Sequence, residues 1–202
     1  MEIPFSLRPA ASAVVALLPG ISDCALDNPT PCTELTVRAL VNHVMGLSLA
    51  FRYAAAPEEA AAAGFVSSGP SFTDDLDPQW RISLPRRLAD LVEAWERSAS
   101  WQGTSTIAGN VMPNHQVAMV ALDELVLHGW DLAVATGQPF ELPGGTILAF
   151  SSSSPTWPLT AAYQACSARA CRWPRMRPVS ITCWPCPGVI QAGNPRSCEI
   201  FR

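Results

Sequence analysis

Residues 121 to 137, ALDELVLHGWDLAVATG, place Asp123, Glu124, His128 and Asp131 within nine positions of an otherwise apolar run. On an ideal helix each residue turns by about 100°, so with Glu124 as origin His128 falls at about +40°, Asp131 at about −20° and Asp123 at about −100°. Glu124, His128 and Asp131 therefore share a face that Asp123 does not. A carboxylate and an imidazole at i and i+4 can converge on one cation, and an oxygen plus a nitrogen donor suits a zinc-like divalent ion. Two ligands do not hold a catalytic ion, so a third is required. His43 is the candidate, because it lies on the apolar stripe of another helix with Leu40, Leu47 and Ala50. His115 precedes Glu124 by nine residues, roughly 14 Å along a helix, too far to share an ion.

The same residues also fit plain structure. A histidine in an apolar stripe is commonly a hydrogen-bonded core residue, and Glu-x3-His is a common i,i+4 contact. Favouring a site, a buried glutamate without a partner is costly, and these three would be buried together.

Four helices must position such a cluster. Ala13, Val14, Leu17 and Leu18 mark a first helix over residues 6–18. Val37, Leu40, Val41, Val44, Leu47 and Phe51 form one stripe of a second helix over 37–55, with Thr33 or Thr36 as its cap. A third over 84–101 turns Leu88, Leu91, Val92 and Trp95 inward, and a fourth over 115–135 is ended by Gly137 and Pro139. Residues 56–82 and 102–114 read as connections, with no strand periodicity. The expected fold is all-α: an antiparallel four-helix bundle over residues 1–147, then an irregular, poorly ordered tail over 148–202. Beside the cluster, Ala121 and Ala50 leave room for a cavity.

Bulk properties bound the rest. Apolar residues make up 49 % of the 202 and charged ones 15 %, which fits a folded globular chain. The net charge of −4 speaks against a nucleic-acid partner. No window is apolar for long enough to span a membrane, and the N-terminus has no basic region before its apolar run, so a cytoplasmic protein is expected. All 13 basic residues are arginine, and six of them lie after residue 150 with only Glu199 against them. Five of the seven cysteines follow residue 160, so any disulfide framework would rest on the tail.

The segments NPTPCTELTVRALVNHVMG (28–46) and DELVLHGWDLAVATGQPF (123–140) resemble the DinB-like metal-binding proteins of the mycothiol-dependent maleylpyruvate isomerase family. The resemblance covers about residues 5–147. It implies an antiparallel four-helix bundle holding a divalent metal, usually zinc, on His43, Glu124 and His128. It further implies an open coordination position for water or for the thiolate of a low-molecular-weight thiol such as mycothiol, with a small electrophile as the other partner and isomerisation or S-transfer as the reaction. Asp131 would orient an imidazole or cap the helix end, and Cys32, in the P-T-P-C stretch, would be structural. A metal-binding or stress-associated protein without catalysis is the alternative function.

The tail departs from the family's Asp- and Leu-rich ending. Read one base upstream, Cys183-Trp184 forces Leu and Trp184-Pro185 forces Ala, and residues 172–191 can reproduce that ending. A frameshift near residue 150 is therefore expected, which makes the Cys183-x-x-Cys186 pair accidental rather than a zinc or redox motif.

Overall fold

The computed structural model describes residues 3–66 and 73–152. The expectations for the tail, including the Cys183/Cys186 pair and the frame-shifted ending, lie outside the described residues.

Four long helices carry the fold: α1 (Arg8–Leu17), α2 (Val37–Ala55), α4 (Trp80–Trp95) and α5 (Asn114–Thr136), with short helices α3 (Pro57–Ala62) and α6 (Gly144–Ser152). Around the bundle the order is α1, α5, α2, α4, each packing on the next and α4 closing back on α1. The four-helix bundle expected from the periodicity is the observed architecture. Its core is one continuous cluster in which Val14, Leu40, Leu84, Leu91, Val117 and Leu132 are fully enclosed. Helix α6 runs through residue 147, where the bundle was expected to end.

Thr36, not Thr33, caps α2, its hydroxyl accepting from the Ala39 N–H at 3.2 Å. The loop before it is stapled. Thr30 Oγ1 donates to the carbonyls of Cys32 and Leu35, Val37 N–H donates to Asn28 O, and Cys24 and Cys32 form a disulfide. The expectation that a disulfide case would rest on the tail alone is corrected: the bond closes within the loop leading into α2.

Helix α4 begins at Trp80, four residues before the expected start, with Pro85 inside it. Proline removes only one backbone donor there, while the Trp80 ring is buried and the Asp77 carboxylate accepts from Gln79 N–H and Ser83 Oγ at the helix start. Its α-helical part ends at Trp95, six residues before the expected end, and a 3-10 turn over Ser98–Trp101 follows. Side chains take the carbonyls at this end: Trp101 Nε1 donates to Trp95 O, and Ser100 Oγ to Ala94 O and Ala55 O.

The connection expected over 102–114 is instead an antiparallel hairpin, β1 (Thr104–Ile107) and β2 (Asn110–Pro113), with Thr104 opposite Pro113 and Ile107 opposite Asn110. Its two-residue turn needs positive φ at both positions, which Ala108 (50°) and Gly109 (81°) adopt. Asn114 fixes the hairpin to the bundle, donating to Ser100 O and Gln102 O and accepting from Ser105 Oγ. No described helix is long and apolar enough to cross a membrane.

Candidate metal centre

The centre lies where α2 packs on α5. Val37, Leu40, Val41 and Val44 anchor α2 in the core, and this fixes the intervening His43 on the inward face. Across the seam, α5 presents Glu124, His128 and Asp131 one turn apart, flanked by buried Ala121, Leu125 and Leu132. Gly129 lets the next layer close. A Cβ there would lie 2.5 Å from Phe140 Cζ and 3.0 Å from Val14 Cγ2, so only glycine admits the Phe140 ring against α5.

One ligand atom each from His43, Glu124 and His128 lies within 4.8 Å of the others. Glu124 Oε2 is 2.9 Å from His128 Nε2 and 3.8 Å from His43 Nε2. The two imidazoles meet edge to face, centroids 5.0 Å apart at 83°. Ligands each 2.0–2.1 Å from a tetrahedral ion stand about 3.3 Å apart, and the two Glu124 distances bracket that value. On its far side His128 Nδ1–H donates to Asp131 Oδ2 at 3.2 Å. Both histidines and Asp131 are buried, and the Glu124 side chain keeps 16 % of its surface exposed.

The electrostatics follow from this crowding. Burial alone would push the Glu124 carboxyl up, but the hydrogen bond from His128 and the closeness of both imidazoles hold it down at about 2. Burial alone would push His128 down, but hydrogen bonds to Asp131 and Glu124, with both carboxylate charges, raise it to about 9. Without metal, His128 is an imidazolium donating from both nitrogens, and Glu124 is ionised at any ordinary pH.

The sequence-expected residues divide cleanly. His43, Glu124, His128 and Asp131 come together. Asp123 is half-buried off that face, and His115 is exposed at the start of α5. Ala121 is fully buried with its methyl in the core, and Ala50 is half-buried. The sequence reading missed the Cys24–Cys32 bond. The available signal was two cysteines eight positions apart across a turn-rich loop.

Two uncharacterized proteins of Mycobacterium tuberculosis, MT0763 and Rv0738 from two strains, are each 27 % identical to this chain over 135 residues. Each match covers 66 % of this chain and 66 % of the relative. No solved structure matches. The profile of the mycothiol maleylpyruvate isomerase N-terminal domain matches residues 7–133, which contain all four core helices up to the last turn of α5 and all three converging side chains. The chain belongs to that family.

Proposed function

We propose that His43, Glu124 and His128 hold one divalent metal ion, zinc by their donor set, and that the centre serves a low-molecular-weight thiol reacting with a small electrophile. The observation that carries this reading is the convergence of two imidazole nitrogens and one ionised carboxylate from two helices inside the bundle. When bound, such an ion lowers the pKa of a thiol and supplies thiolate at neutral pH. The family name points to mycothiol as the thiol and to isomerisation as one outcome of its addition. S-transfer is the other outcome.

The protein's own part is positional. Asp131 keeps the proton on His128 Nδ1, which leaves Nε2 as the nitrogen facing Glu124 and His43. Glu124 needs no deprotonation to act as a ligand, because it is already ionised. Core packing around the two histidines keeps bulk water from that side of the centre.

A second reading is favoured by one observation: the three groups satisfy one another without metal, and among the described residues no buried side-chain nitrogen or oxygen lacks a partner. On that reading the cluster is an ion-paired staple between helices. Elemental analysis of tag-free protein separates the two. About one equivalent of zinc in wild type, lost in both His43→Ala and His128→Ala, supports the metal centre. No metal in folded wild type after incubation with zinc supports the staple. If metal is present, thiol titration then tests the thiol assignment against a metal-binding role without catalysis.

A further inference from the structure

We propose that the Cys24–Cys32 disulfide is a thiol-exchange site, at which a low-molecular-weight thiol attaches to Cys24 and releases Cys32. It is separate from the metal centre and does not depend on it. The two sulfurs sit in opposite environments. Cys24 is exposed on the 3-10 turn Asp23–Ala25, whereas Cys32 is 2 % exposed and part of the core. Exchange requires a thiolate to approach along the S–S axis from the side away from the leaving sulfur, so access decides which sulfur is attacked. Here the exposed half-cystine is Cys24.

The surroundings of Cys24 are polar. The Ser22 hydroxyl lies 3.1 Å from Cys24 Sγ and donates to it, since a half-cystine carries no proton. The neighbouring Asp23 carboxylate is paired with Arg81 at 2.9 Å, which offsets its repulsion of an incoming thiolate. The exchange balances without an added oxidant. The thiolate sulfur bonds to Cys24 Sγ as the Cys24–Cys32 bond breaks. The bonding pair leaves on Cys32 Sγ, which takes a proton from water. A second thiol can release Cys24 by attacking the added sulfur, giving a low-molecular-weight disulfide and a Cys24 thiol.

The loop is built to survive the opening. Leu35 N–H donates to Cys32 O, Thr30 Oγ1 donates to the same carbonyl, and Arg38 N–H donates to Leu26 O. These bonds do not involve the sulfurs, so Cys32 stays beneath Cys24 and can close the disulfide again.

The test uses the full-length oxidised protein and glutathione, with acid quenching, alkylation and peptide mass spectrometry. Cleavage at the aspartates separates the two half-cystines from each other, at Asp27, and Cys32 from the later cysteines, at Asp74. The expected product carries glutathione on Cys24 and an alkylated thiol on Cys32. With glutathione disulfide, folded Cys32→Ser should acquire an adduct on Cys24, at least an order of magnitude faster than folded Cys24→Ser acquires one on Cys32. An adduct found first on Cys32 would overturn the proposal. So would a wild-type disulfide that stays intact in millimolar glutathione, which would make it a purely structural staple. The wild-type measurement decides even if a variant fails to fold.

Discussion

Replacing Glu124 by glutamine keeps the side chain's size and removes one charge from between two imidazoles. In the metal-free protein the Glu124 carboxyl sits at about 2 against an ordinary 4.5, and His128 at about 9 against 6.5. At about 1.4 kcal/mol per pH unit, either displacement corresponds to an interaction of roughly 3 kcal/mol. The two displacements share the Glu124–His128 contact, so that energy is counted once, while Asp131 is the leading cause of the imidazole's rise. A depressed carboxyl stabilises the fold above its unfolded value, and the benefit is lost as pH falls from 4.5 toward 2. A raised imidazole stabilises the fold below its unfolded value, and the benefit is lost as pH rises from 6.5 toward 9. The pair therefore contributes fully only between about pH 4.5 and 6.5. Urea unfolding with chelator present, followed by circular dichroism from pH 3 to 10, should show Glu124→Gln weaker than wild type by about 3 kcal/mol in that window. The difference should shrink on the acid side as the wild-type carboxyl protonates. It should shrink on the alkaline side as His128 deprotonates, although the variant keeps part of its own alkaline dependence through Asp131. A difference of constant size at every pH would refute the reasoning, because it would mean that the glutamate contributes through shape alone.

Two packing features give further expectations. Gly129→Ala should displace the Phe140 ring at a cost of about 1–3 kcal/mol, partly offset by the roughly 1 kcal/mol gained from alanine's helix propensity. Thermal melts of Gly129→Ala, Phe140→Ala and the double variant should then be non-additive, since the smaller residue at 140 removes the clash; strict additivity would show that the ring was not the obstacle. Asn114→Ala leaves the carbonyls of Ser100 and Gln102 without their side-chain donor and should cost about 2–3 kcal/mol by denaturant unfolding. A loss under about 0.5 kcal/mol, as at an ordinary surface position, would mean that water replaces those bonds.

The bundle and its candidate centre were legible because both rest on helical periodicity. The stripe from Val37 to Phe51 fixed the inward side of α2, and three polar residues within 60° of one another on α5 fixed what faced it. What escaped was decided by contacts that periodicity does not encode. Helix α4 starts early because the Trp80 ring is buried and Asp77 caps the turn, which outweighs the single backbone bond lost at Pro85. The hairpin has strands of four residues and a turn in which alanine takes a left-handed conformation, so Gly109 was its only local signature. The disulfide joins positions close in sequence, but their approach depends on how the Thr30 and Asn28 bonds fold the loop.

The seam between α2 and α5 also has a meaning in time. His43 and Glu124 lie 81 positions apart in the chain, and α1 and α4 supply neither of the facing surfaces that carry them. During synthesis from the N-terminus, α2 emerges long before its partner and must wait while α4 and the hairpin are made. A chain interrupted before residue 114 holds one of the three converging side chains and leaves bare the α2 surface that α5 would cover. Burial of this α2 surface therefore waits for a polypeptide extended through α5, and shorter products leave it open to solvent.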